Sequence, residues 1–143
     1  MRLDGVWYNE LGSTVTIQIA GNQITGTYQT AVGDATGQYP IVGSFDSNPA
    51  PSGPSVGWVV AWANQSGSSN SVTTWCGQLQ SINGSEVLTA MWLLTGETAP
   101  NSDWQSTIVG KDVFTRIKPN QEQVRLKAKS IPWSHPVKIR RNS

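Results

Sequence analysis

The chain contains one cysteine and one histidine, and that scarcity removes several kinds of chemistry at once. Cys76 has no intrachain partner, so no disulfide framework holds the fold. Its expected place is the outer surface, as a small residue at a subunit contact, with an intersubunit disulfide as the alternative. His135 falls in the terminal segment, leaving the body without a base for a Ser-His-Asp or Cys-His set. No grouping of His, Cys and carboxylates has metal-ligand spacing. The expectation is a protein that is not an enzyme, with no cofactor and no metal. Long apolar runs are missing too. Without a stretch of about 18 apolar residues, no helix spans a membrane. No signal peptide is visible ahead of Asp4.

Charge is sparse and unevenly placed. Residues 1–110 carry one basic residue, Arg2, against seven acidic ones, a net −6. Residues 111–143 carry nine basic and two acidic residues, a net +7. A basic end of this kind is either a solvated terminus or an arm for nucleic acid, an acidic partner or a neighbouring pocket. Residues 119–143 are expected to form a flexible basic tail with no nucleic-acid partner. Within it "IPWSHPVKIRR" holds two prolines and one aromatic residue, which argues against a stable amphipathic helix.

What the chain has in quantity is short alternating runs ended by turns. "VWYNE", "TVTIQIA", "ITGTYQTAV", "YPIVGSFD", "VGWVVAWAN", "SVTTWCGQLQSI", "SEVLTAMWLLT" and "WQSTIVGKDVFTRIK" follow one another, separated by Gly-, Asn-, Ser- and Pro-rich connections. Eight strands at this spacing predict an up-and-down β-barrel or a sandwich over residues 1–118. No helical period is visible before residue 119. Asn83-Gly84 reads as a hairpin turn, and Asn64 and Asn83 begin sequons that matter only in a eukaryotic secretory pathway.

The period of two sorts these strands into faces. Trp58, Val60 and Trp62 share one face, as do Ser71, Thr73 and Trp75, then Leu88, Ala90, Trp92 and Leu94, then Ile108, Gly110, Asp112 and Phe114. Trp7 aligns with Asn9, and Tyr28 with Thr30. The tryptophan face therefore also carries a carboxylate, an amide and several hydroxyls. Left unpaired in a core, each would cost about 1–3 kcal/mol, and the charge more. Two arrangements meet that cost: the groups satisfy one another and buried waters, or a small ligand pairs with them while its apolar body lies among the rings.

The motifs "WYNELGS", "TGTYQTAVGD", "GWVVAWAN", "TTWCGQ", "WLLT" and "WQSTIVGKDVFT", in this order over residues 5–118, resemble the avidin–streptavidin family of biotin-binding proteins. The resemblance implies an eight-stranded antiparallel barrel that sequesters biotin very tightly, one per subunit. It implies that Asn9, Ser13 and Tyr28 donate to the ureido oxygen, that Asp112 and Thr30 accept the two ureido N–H groups, and that Thr73 faces the ring sulfur. Ser71 and the backbone around Asp34 would hold the valeryl carboxylate. Trp62, Trp75 and Trp92, with Leu11, Val32 and Leu94, would wall the bicyclic ring. Trp104 would complete the site of a neighbouring subunit in a homotetramer, and the protein would be extracellular, with a cytoplasmic one left open. Trp7 and Trp58 would pack the far end of the barrel. The sequence departs from the family at Asp34, where streptavidin-like members commonly carry a neutral asparagine. An anion there leaves open a barrel that has drifted to another small ligand, or to none. The Gly/Ser-rich stretch at 65–70 would be a lid, mobile when the site is empty.

Overall fold

The computed structural model describes residues 1–31, 37–48, 52–63 and 70–130. The expected lid, with Val32, Asp34 and the Asn64 sequon, therefore lies almost wholly outside the described residues. Eight strands run in chain order: β1 (Gly5–Tyr8), β2 (Thr14–Ala20), β3 (Gln23–Gln29), β4 (Gln38–Phe45), β5 (Ser55–Ala61), β6 (Ser71–Ile82), β7 (Ser85–Gly96) and β8 (Thr107–Thr115). Each pairs antiparallel with the next, and β1 pairs with β8 to close a barrel. The barrel expectation holds and the sandwich falls away.

Alternation along the strands produces the core. Trp58, Val60, Thr73, Trp75, Leu88, Trp92, Asp112 and Phe114 all point inward and are buried. Each large apolar side chain so buried contributes roughly 1.5–3 kcal/mol. The opposite parity faces outward, and Val72, Met91, Leu93 and Val109 stay exposed there in the single chain. In the up-and-down barrel β1, β3, β5 and β7 run toward one end, and that end carries the polar residues. At the other end β2–β3 and β6–β7 are joined by two-residue turns. One is Asn83-Gly84, whose φ angles of +51° and +79° suit the mirror-image turn that matches strand twist.

Closure is uneven. β6 and β7 pair along their whole lengths, whereas β1 and β8 share one register pair, Tyr8 opposite Thr115. Arg116 supports this weak seam at the far end. Its guanidinium lies 3.6 Å from the centroid of the Trp7 ring. It also donates to Glu86 Oε2 (3.1 Å) and to the carbonyls of Val6 (3.2 Å) and Arg2. Trp7 in turn donates Nε1 to the Leu3 carbonyl at 2.8 Å. The Arg2 backbone N–H, then Arg116, hold the Glu86 carboxyl below its ordinary range.

Several elements are shorter than the sequence suggests. β1, β3 and β5 end at Tyr8, Gln29 and Ala61, so Asn9, Thr30 and Trp62 sit just past strand ends. Trp104 and Gln105, read as the start of the last strand, instead lie in a kinked 3-10 segment, Pro100–Gln105, which begins at a proline and ends where Ser106 N donates to the Asp103 carbonyl (2.9 Å). Beyond the barrel the sequence shows only a tail, yet Gln121–Ser130 form a helix, α1. Asn120 and Gln123 cap it reciprocally: Gln123 N donates to Asn120 Oδ1 (2.8 Å), and Asn120 N to Gln123 Oε1 (2.9 Å). Among the described residues no helix is long and apolar enough to cross a membrane.

Candidate functional site

Asn9 leaves β1 into a tight turn in which Asn9 N donates to Ser13 O (3.0 Å) and Gly12 N to Asn9 O (3.1 Å). Gly12 adopts φ +84° there, a conformation glycine reaches without steric cost. The backbone N–H groups of Leu11 (3.0 Å) and Ser13 (2.8 Å) both donate to Asn9 Oδ1. That pair fixes which way round the amide sits and turns Nδ2 inward, where it donates to Asp112 Oδ1 at 3.4 Å. Ser13 Oγ accepts the Ala31 N–H (3.0 Å), tying this turn to the chain leaving β3.

Asp112 comes from the middle of β8 and is 0% exposed. Its second oxygen accepts Trp75 Nε1–H at 2.8 Å from β6. Burial pushes its pKa well above the ordinary carboxylate value; the Trp75 hydrogen bond opposes this, the Glu10 charge adds to it, and Asn9 opposes it again. Each carboxylate oxygen thus has one protein donor and lone-pair capacity for another. Trp62 Nε1 donates to Thr73 Oγ1 at 2.7 Å, leaving the Thr73 hydroxyl proton to donate elsewhere.

The rings form a compact set. Tyr28 stacks on Trp75 with centroids 4.8 Å apart, and Trp62 stands edge-on to Tyr28 (5.7 Å) and to Trp75 (6.3 Å). Trp92 is in register with Trp75 on the next strand. Burial first, then the Asp112 charge, push the Tyr28 hydroxyl well above its ordinary pKa, against a smaller effect of Ser13. It is therefore an O–H donor at neutral pH. Yet Tyr28 Oη, Tyr39 Oη, Trp92 Nε1 and Trp58 Nε1 are buried with no hydrogen-bond partner among the described residues. A buried unpaired donor costs about 1–3 kcal/mol, which a ligand acceptor recovers.

The fold brings Asn9, Ser13, Tyr28, Trp62, Thr73, Trp75 and Asp112 to one end of the interior, from β1, β3, β5, β6 and β8 and the turns beside them. Leu11 and Leu94 are buried at this end, and Thr30 and Ser71 are half-buried. Trp104 is not brought in: it is 71% exposed on the surface of the single chain. Tyr39 joins the residues that the sequence points to. It pairs in register with Tyr28, is 4% exposed, and sets its ring 5.1 Å from Trp62. Its shared parity with Ile41 was the available signal. Chemically, the site opposes an ionisable acceptor to several neutral donors within aromatic walls, an arrangement for holding a compact ligand that has both N–H and C=O groups.

A family model described as the Avidin family matches residues 1–117. The chain is 35% identical to avidin of Gallus gallus over 127 residues, covering 84% of this chain and 81% of that protein. It is 39% identical to avidin-related protein 4/5 of Gallus gallus over 122 residues, with coverage of 80% and 77%. It is 31% identical to afifavidin of Afifella pfennigii over 118 residues, with coverage of 78% and 67%.

Proposed function

Because the chain belongs to the avidin family, we propose that its barrel binds biotin, tightly and without chemistry, one molecule per subunit. The observation that carries this reading is the buried Asp112 carboxyl group, held by Asn9 and Trp75, with the Tyr28 hydroxyl nearby and unpaired. A cyclic urea presents what this arrangement lacks: N–H groups for an acceptor and an oxygen for donors.

Asn9 Nδ2, Ser13 and Tyr28 donate to the ureido oxygen. Asp112 accepts one ureido N–H and Thr30 the other, while Thr73 faces the ring sulfur. Trp62, Trp75 and Trp92, with Leu11, Val32 and Leu94, enclose the bicycle, and Ser71 with the backbone around Asp34 receives the valeryl carboxylate. The donors are set before the ligand arrives, since Asn9 is oriented by two backbone N–H groups. Little ordering cost remains to be met on binding. In a desolvated site each hydrogen bond also counts for more than it does in water.

The assembly belongs to the same reading. Exposed Val72, Met91, Leu93 and Val109 form an apolar stripe on the outer face of β6, β7 and β8. Such a face favours burial against other copies, and a homotetramer places the exposed Trp104 of one subunit over the site of another. Family membership supports an extracellular place of action, where the protein sequesters the vitamin. Biotin-agarose is the direct test: the protein should be retained through washing and released only slowly by free biotin. Passage through the column without retention would remove the reading.

A further inference from the structure

Resting on the biotin reading, we infer that Glu10 is a positioning residue for Asp112, and that it acts by closing the β1–β8 seam at the level of the site. β1 and β8 share the single pair Tyr8–Thr115. Continued in the same antiparallel register, that ladder would set Glu10 opposite Val113. The main chain does not continue it, because at Asn9 it has already turned into the loop that orients the Asn9 amide. β8 therefore presents a backbone N–H where its neighbour strand has left. The Glu10 side chain takes the vacated place: Val113 N donates to Glu10 Oε2 at 3.1 Å. A buried or half-buried N–H without an acceptor would be costly, and a charged acceptor makes the stronger bond.

The consequence for binding follows from chain adjacency. Val113 is joined directly to Asp112, and Glu10 to Asn9, so one hydrogen bond ties together the two backbones that carry the 3.4 Å contact between Asn9 Nδ2 and Asp112 Oδ1. This bond adds a main-chain tie to the side-chain contact between the strand bearing the acceptor and the turn bearing the donor. The Glu10 charge is also felt at Asp112, which it pushes upward in pKa, consistent with the two groups being near neighbours. The role assigned to Glu10 is the placement of Asp112, not contact with the ligand.

The test measures biotin release from the purified protein by chase with excess free biotin, for Glu10→Ala, Glu10→Gln, Asp112→Ala and the Glu10→Ala/Asp112→Ala double variant. Glu10→Ala should speed release roughly tenfold, the scale of a lost hydrogen bond to a charged group. Glu10→Gln, which keeps an acceptor, should recover most of that. In the double variant the Glu10→Ala factor should shrink towards one, because its effect runs through Asp112. An equal factor in both backgrounds would mean general loosening of the barrel and would overturn the inference. Amide hydrogen exchange on the ligand-free protein reads the tie without biotin. Val113 should exchange faster in Glu10→Ala and near the normal rate in Glu10→Gln; an unchanged Val113 in Glu10→Ala also overturns it. If the unsubstituted protein fails to bind biotin, the functional reading fails and this role with it, while the exchange data still say whether Glu10 closes the seam.

Discussion

Asp112 is a carboxyl group that water does not reach, and most of the site's behaviour follows from that. Two donors, Asn9 Nδ2 and Trp75 Nε1, partly offset its desolvation, yet its pKa stays raised, with Glu10 and Tyr28 as the titratable neighbours. Removing either member of the Asn9–Asp112 pair leaves a desolvated group without its partner. Asp112→Ala and Asn9→Ala should each weaken biotin binding by about 2–5 kcal/mol, read as faster release. Wild-type release rates in both would displace the ureido group from this corner. The sign of the pH effect is also set. A raised folded-state pKa means that the stability Asp112 contributes is full below the ordinary carboxylate range and is lost as pH rises through the folded value. A ligand N–H donated to Asp112 favours the ionised form, so binding releases a proton wherever the empty site holds one. Affinity should fall about tenfold per pH unit below the empty-site pKa. Asp112→Asn should flatten that slope in competition titrations from neutral to acid pH; an unchanged slope would assign the titration to another group.

At the level of elements, the barrel depends on a seam with little backbone pairing, and Arg116 compensates at the far end. Truncating it removes a guanidinium–indole contact and hydrogen bonds to Glu86 and to carbonyls of the N-terminal segment. Arg116→Ala should lower the unfolding free energy by about 2–4 kcal/mol in denaturant titration. Arg116→Lys should recover little, since an ammonium cannot make the forked, stacked contact. Loss of less than about 0.5 kcal/mol would mean that the strands close without it. This seam also marks the border of what was legible in the sequence. Alternation within a strand is local, so the inward placement of Trp58, Trp62, Thr73, Trp75, Trp92 and Asp112 could be read from parity alone. Strand ends could not, because Asn9 stops β1 through bonds from residues ahead of it, and Trp104 is carried off by a proline-started turn. The Glu10–Val113 bond joins residues 103 apart and leaves no sequence pattern. α1 escaped for a different reason. Its sequence has no apolar stripe at helical spacing, and among its described side chains Val124 alone is half-buried, beside Gly12; its signal is the Asn120–Gln123 capping box rather than periodicity.

For the whole molecule, the proposed assembly rests on the outer face and on Trp104. The apolar stripe on β6–β8 and the 71%-exposed Trp104 ring are the surfaces that the proposed tetramer would bury. Light scattering should give a tetramer at micromolar concentration, and Trp104→Ala should speed biotin release although the residue lies outside its own subunit's site. Lys111 sits exposed on the same face, in register with Met91. If this face meets its own copy across a two-fold axis, two lysines approach each other at a cost of roughly 1–4 kcal/mol. Lys111→Val should then raise the temperature at which the tetramer dissociates; a lower temperature would mean the lysine is paired and stabilising. If each barrel encloses one biotin among its tryptophans, a biotin titration followed by tryptophan fluorescence reads it out. Intrinsic fluorescence should change sharply and saturate at one biotin per chain. No change, or saturation well away from one per chain, would contradict it.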